Sequence, residues 1–340
     1  VTTAPDPWPA GEWRRLLTDA VRDLGELLET LELGIESVEL GPAPTAARRF
    51  PLRVPRGFIA RMRPGDPDDP LLRQVLPVSS EDDAVPGFTA DPVGELGLAR
   101  GDGVLSKYHG RALLVVTGAC VVHCRYCFRR HFPYAEHGGH SRDWGSAVDA
   151  VAASPDVEEV ILSGGDPLVL PDDRLGELAS RLASIPHLRR FRVHTRLPVV
   201  LPERVDVNLV GWLESSQLPV VIVVHANHPQ EIDDDVSRAL AVLGAAGVTV
   251  LNQAVLLAGV NDSADVLAGL SRKLFDCGVL PYYLHMLDRV AGAAHFEVDE
   301  ERAIRIMDEL RAELPGYLVP RLVREVAGAR SKTLLVPRAP

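Results

Sequence analysis

From about residue 110 onward, short β-branched and aliphatic runs alternate with longer stretches whose apolar positions recur every three or four residues. The runs are ALLVVTG (112–118), VEEVILSGG (157–165), RFRVHTR (190–196), PVVIVVHAN (219–227), GVTVLNQAV (247–255) and VLPYYLHML (279–287). Such runs predict largely buried strands, and the amphipathic stretches near 143–153, 172–184, 203–214, 231–246, 263–276 and 299–313 predict helices between them. Six β–α units in series predict an α/β fold with a parallel sheet, open or closed into a barrel. Chemistry in such folds gathers in loops at the carboxyl ends of the strands. Polar residues punctuate those ends here: Ser163, Gly164, Gly165 and Asp166; His194, Thr195 and Arg196; His225, Asn227 and His228; Gln253; and Asp288.

Residues 1–100 have a different texture. GEWRRLLTDAVRDLGELLETLEL carries helical apolar spacing, whereas 41–100 is rich in Pro, Gly and Asp. The expected organisation is a helical and irregular N-terminal layer over 1–100, able to cover the mouth if the sheet closes into a barrel, the β–α units over 101–325 and a C-terminal segment over 326–340.

The chain of 340 residues is 46% apolar and 24% charged, an ordinary globular balance. A net charge of −11 argues against nonspecific nucleic-acid binding, which needs clustered positive charge. No apolar run reaches the roughly 18 residues of a membrane span, and VTTAPDPWPAGEWRR lacks the apolar core of a signal peptide. The expectation is a cytoplasmic protein with neither nucleic acid nor membrane as partner.

Three of the four cysteines, Cys120, Cys124 and Cys127, lie in GACVVHCRYCFRRHFPY (118–134). This spacing does not read as a disulfide framework. Buried structural cysteines fit poorly in a strand-end loop flanked by Arg125, Arg129 and Arg130. Structural zinc needs a fourth ligand, from His123 or His131. A redox pair uses Cys124 and Cys127 but leaves Cys120 idle. An iron–sulfur cluster suits soft thiolates on a tight loop, and three of them leave one iron of a 4Fe–4S cluster open to a chelating ligand. The isolated Cys277 reads as core packing.

The Cys-x₃-Cys-x₂-Cys spacing with Tyr126 before the last cysteine resembles the signature of radical S-adenosylmethionine enzymes, and SGGDPL (163–168) resembles their glycine-rich strand end. The longer string CRYCFRRHFPY (124–134) is similar to the lysine 2,3-aminomutase family, within it the short branch that makes β-lysine for elongation factor P. VVHANHPQEI (223–232), LNQAVLLAGVND (251–262), PYYLHMLDRVAGAAHF (281–296) and REVAGARSKT (324–333) match it in order.

The resemblance implies a partial (β/α)6 TIM-like barrel and an isomerase with three cofactors. Cys120, Cys124 and Cys127 would hold the 4Fe–4S cluster. Ser163, Gly164, Gly165, Asp166, His225 and Gln253 would line the S-adenosylmethionine site. Lys332 would carry pyridoxal phosphate as a Schiff base, with Lys107, in place of an arginine, and Arg111 as its basic contacts. Substrate L-lysine would place its carboxylate on Arg129 and its ammonium between Asp288 and Glu325, the last an aspartate in the longer aminomutases. Two acids suit a cationic side chain and not a glutamate. Partners implied are a reductase or flavodoxin-type electron donor, elongation factor P and its β-lysine ligase. The eight residues beyond Lys332, and Ser263 where some longer relatives place a zinc-linked cysteine, favour the short branch. Two other readings stay open: the same chemistry on lysine or a related amino acid in metabolism or natural-product synthesis, and a nonenzymatic iron–sulfur or metal-binding protein.

Overall fold

The computed structural model describes residues 5–38, 50–98, 103–136 and 144–336. The helical pattern near the N-terminus resolves into two short helices, α1 (Glu12–Thr18) and α2 (Leu24–Thr30). They are separated because Val21 exchanges backbone hydrogen bonds with Val54, at 2.8 and 2.9 Å, and leaves the helical path. Single helical turns at Arg56–Ile59 and Pro70–Arg73 follow. Trp13, Val21, Leu27, Phe58 and Leu71 of this layer are buried in the same hydrophobic cluster as Val160, Phe191 and Ile222 of the sheet. One continuous core therefore joins layer and barrel.

The sheet has nine strands in chain order. β1 (Val104–Leu105) lies antiparallel to β2 (Arg111–Thr117). From β2 the sheet is parallel through β3 (Glu159–Gly164), β4 (Arg190–Thr195), β5 (Val220–Val224), β6 (Thr249–Val255), β7 (Leu280–His285) and β8 (Arg321–Arg324). β9 (Thr333–Leu334) returns antiparallel to β8. The six strands expected from the apolar runs are β2 to β7. β8 is an addition: four residues with an arginine at each end leave too little pattern to read.

Helices α3 (Gly145–Ala152), α4 (Asp172–Ala183), α5 (Val207–Glu214), α6 (Asp234–Ala245), α7 (Ala264–Asp276) and α8 (Glu300–Glu313) fill the crossovers, as the amphipathic stretches predict. Residue 143, where the first of those stretches begins, lies outside the described residues. Asp206, Asp233, Ser263 and Asp299 cap α5 to α8, each side-chain oxygen accepting from an N–H of the first turn. Ser263 is thus a helix cap, and Cys277, at the C-terminal end of α7, packs partly buried against the main core.

The sheet must curl. Laid flat, β2 and β8 would stand roughly 29 Å apart at ordinary strand spacing. Yet Lys107, just before β2, pairs with Glu325, just after β8, at 2.6 Å, and the Tyr108 hydroxyl donates to the same carboxylate. The edges meet through side chains, with no backbone ladder between β1 and β9. Alternation along β4 sends Phe191 outward onto Trp212 of α5, while Arg192 pairs with Glu159 of β3 and His194 approaches His225. No helix among the described residues is long and apolar enough to cross a membrane.

Candidate functional site

The cysteine loop leaves the end of β2 and is braced by the N-terminal layer. The Arg53 guanidinium donates to the Cys120 carbonyl at 2.8 Å, and the Arg125 N–H donates to the Gln74 carbonyl at 2.9 Å. Arg125, fully buried, donates Nε to one oxygen of Glu81 at 2.8 Å and Nη2 to the other at 2.5 Å. Arg130 donates to that second oxygen at 2.5 Å. At the end of β4, Arg196 donates Nη1 to Cys124 Sγ at 2.8 Å and Nη2 to Gln74 and Glu231 at 2.6 and 2.9 Å. Asn227 joins the same buried network through Gln74 and Tyr126.

The glycine-rich turn after β3 meets this loop backbone to backbone. Gly165 N donates to the Thr117 carbonyl at 2.7 Å, and Asp166 N to the Ala119 carbonyl at 2.8 Å. A Cβ on Gly165 would lie 2.2 Å from the Ala119 oxygen, and one on Gly164, whose φ is 118°, would lie 2.4 Å from the Thr117 oxygen. The two glycines therefore serve the contact between neighbouring strand ends. Gly165→Ala is expected to force these ends apart and lower stability by about 1–3 kcal/mol; an unchanged denaturant midpoint would count against this. Asp166 is equally committed. Its carboxylate accepts from Thr195 Oγ1, from the N–H groups of Arg196 and Leu197, and from Leu168 N–H.

The second group gathers where the sheet edges meet. Glu325 accepts from Lys332 Nζ at 2.7 Å, from Lys107 Nζ at 2.6 Å and from Tyr108. Burial works to raise its pKa, but Lys332, Lys107 and Tyr108 prevail and bring it down to about 2. Asp288 beyond β7 behaves oppositely: burial first, then the like charge of Glu325, pushes it up to about 7. Lys332 Nζ lies 5.7 Å from the Tyr283 ring centre. With Tyr108, Arg111, Arg192, Tyr282, Tyr283, Arg321 and Ser331, it lines a cavity of about 260 Å³. On neighbouring strands, Gln253 Nε2 and His225 Nε2 stand 3.2 Å apart. Burial, then the Arg196 charge, pushes His225 down to about 3, so the imidazole is neutral, and its Nε2 accepts from the Gln253 amide in the tautomer that carries the proton on Nδ1.

The structure thus places the sequence-predicted residues in two groups, with His225 and Gln253 as a separate pair. Cys120, Cys124, Cys127, Arg129, Ser163, Gly164, Gly165 and Asp166 are gathered at the ends of β2 and β3, whereas Lys107, Arg111, Asp288, Glu325 and Lys332 lie where the edges close. Arg129 is held by Glu95, a partner the sequence did not suggest. Glu81, Glu95, Gln74 and Tyr108 carry no local signal, since nothing in the sequence around them distinguishes them from their neighbours. Arg196 and His194 stood among the strand-end residues, and a buried His194 Nε2 with no hydrogen-bond partner among the described residues marks that position too.

Residues 114–268 match the Radical SAM superfamily, which brings with it a 4Fe–4S cluster and S-adenosylmethionine. The donor set fits such a cluster. Burial, with repulsion from the neighbouring thiols, pushes Cys120 well up and Cys127 up to about 11, while arginines surround the loop. Iron relieves that conflict by replacing the protons. Among the described residues no three His, Cys, Asp or Glu side chains are grouped to hold one metal ion, which a cluster, taking each thiolate on a different iron, does not require.

Along nearly its full length the chain is similar to enzymes named L-lysine 2,3-aminomutase. It is 51% identical to that of Escherichia coli (strain K12) over 324 residues, covering 95% of this chain and 94% of that one. For the Haemophilus influenzae protein the identity is 46% over 322 residues, 95% of each. The Clostridium subterminale protein is 34% identical over 332 residues, 96% of this chain and 78% of that one. The chain belongs to the L-lysine 2,3-aminomutase family of the radical SAM superfamily.

Proposed function

We propose that this protein is a cytoplasmic isomerase that moves the α-amino group of L-lysine to the β-carbon, with pyridoxal phosphate as a third cofactor. The observation that carries the reading is the cavity at the closing edges, where the one amine, Lys332, is set among Arg111, Arg192, Arg321 and Ser331. An amine beside arginines and a hydroxyl suits a carbonyl cofactor that bears a phosphate. Cys120, Cys124 and Cys127 would hold the cluster, and Ser163, Gly164, Gly165, Asp166, His225 and Gln253 would border S-adenosylmethionine. When bound, these groups supply a carbon radical that takes a hydrogen atom from the substrate and a carbonyl that lets nitrogen pass between adjacent carbons.

The chain's own residues bind and orient. Lys332 and Lys107 hold Glu325 ionised. The Arg129 fork takes a carboxylate, and Asp288 with Glu325 takes an ammonium at the far end. The interior of the curled sheet limits the entry of water and of other hydrogen donors. Product would pass to a β-lysine ligase and then to elongation factor P, with a flavodoxin-type donor supplying electrons; the string at 124–134 supports that branch.

An anaerobic assay tests the reading. Reconstituted protein with pyridoxal phosphate, S-adenosylmethionine, dithionite and L-lysine should yield β-lysine by mass spectrometry. Formation of deoxyadenosine with lysine untouched would keep the radical enzyme and reject the substrate.

A pH dependence follows from Asp288. A bound ammonium favours its ionised form, so KM for L-lysine should fall by up to about tenfold as pH rises from about 6 to about 8. Asp288→Asn should flatten that slope, and a wild-type KM independent of pH would remove Asp288 from the ammonium site.

A further inference from the structure

In this structure the Arg129 fork already holds a carboxylate. Nε and Nη2 each donate to one oxygen of Glu95, both at 2.7 Å, a bidentate pair. The remaining Nη1 donates to Ser163 Oγ at 2.8 Å and to the Gly164 carbonyl at 3.3 Å. Both residues are buried, with 7% and 8% exposure. Glu95 sits on a stretch of the N-terminal layer that is tied down on its own. The Asp91 carboxylate accepts from the N–H groups of Glu95 and Leu96 at 2.9 and 3.0 Å. Lys107 Nζ donates to the Val93 carbonyl at 3.3 Å. Thr89 is laddered to the loop after β7, its N–H donating to the Arg289 carbonyl at 2.9 Å.

A guanidinium offers its Nε–Nη2 edge to one carboxylate at a time. We infer that Glu95 occupies the seat of the substrate carboxylate, and that an amino acid binds by replacing Glu95 on Arg129 while Nη1 stays on Ser163 and Gly164. The inference rests on the proposed role of Arg129. It explains how a buried guanidinium is kept paired before substrate arrives, since an unpaired buried charge is costly. It also sets a selection rule. A ligand with a carboxylate exchanges one bidentate pair for another, whereas an amine without a carboxylate has nothing to put in Glu95's place. Arg129 then selects for the carboxylate, and Glu95, as its competitor for the fork, weakens the binding of the selected ligand and narrows its margin over the amide.

The test is binding of L-lysine and of lysinamide, which lacks the carboxylate charge, to the anaerobically reconstituted holoenzyme by calorimetry, in wild type, Glu95→Gln and Glu95→Ala. Both variants should bind L-lysine about tenfold more tightly, with lysinamide changed by less than about twofold. If wild type binds the two ligands alike and neither variant alters this, Arg129 does not hold the carboxylate and its proposed role fails. If wild type prefers L-lysine but the variants do not tighten it, that role stands and the exchange is overturned. Weaker binding of both ligands in both variants would make Glu95 a brace for the barrel mouth and also overturn the exchange.

Discussion

Lys332→Ala should reduce β-lysine formation by at least about 10³-fold, because the amine it removes is the one group in the cavity able to form a bond with a carbonyl cofactor. Lys332 precedes β9, whose Thr333 is paired with Arg324, so its backbone is fixed by the ladder and the substitution removes only the side chain. The Nζ also pairs with Glu325 at 2.7 Å, and loss of that pair alone could lower activity. Lys332→Arg separates the two effects: it keeps a cation beside Glu325 but cannot form the bond, and it should be as inactive as the alanine variant. Iron content and the visible absorbance of the reconstituted cluster should match wild type in both, because none of the contacts of Lys332 is with a cysteine. Product within about tenfold of wild type for either variant would exclude the assigned role.

Glu81→Gln should cost about 3–5 kcal/mol of stability, the loss expected when one partner of a buried ion cluster is removed. Glu81 is the common acceptor for Arg125 and Arg130, and all three side chains are at 3% exposure or less. Burial opposes its charge, yet the two arginines hold its carboxyl below the ordinary value. Since its folded-state pKa is lowered, the stabilisation it provides is present above the unfolded pKa and lost as pH falls through the folded one. Arg125 and Arg130 flank the cysteine loop, so the variant should also take up less iron on reconstitution. Urea denaturation of the apo-protein at neutral and acid pH measures the first effect, and iron analysis the second. A midpoint equal to wild type at neutral pH would mean that the arginines find other partners.

Much of the barrel was legible because its signals are local. A strand buried on both faces must be apolar over several consecutive residues, and a helix covering a sheet must repeat its apolar positions every three or four. β2, β3 and β5 satisfy the first rule and α3 to α8 the second within their own stretches, whereas β4 and β6 alternate buried and less buried positions. β8 does not, since its four residues are short and charged at both ends. The helical pattern of the first thirty residues was broken for a nonlocal reason: Val21 pairs with Val54, and no feature near Val21 announces it.

The candidate site divides in the same way. The cysteine triplet, the Gly164–Gly165 pair and the acids and lysine near the end of the chain are visible as spacings or as residue strings that match a family. Their partners are not. Glu95 lies 34 residues from Arg129, Glu81 44 residues from Arg125 and Gln74 122 residues from Arg196, each in a stretch without periodicity.

By itself the sequence determined the order of β2 to β7 and of the helices that alternate with them, the placement of polar groups at the strand ends and the thiolate chemistry, since these depend on period and spacing within short segments. Only the tertiary structure decided which charges are neutralised and by whom: that Arg129 is held by Glu95, that Glu325 joins Lys107 to Lys332 across the closing edges, and that the glycines serve a contact between two strands. The physical reason is that ion pairing and close approach depend on distances through space, and those are set only when the sheet has curled and the N-terminal layer has packed onto it.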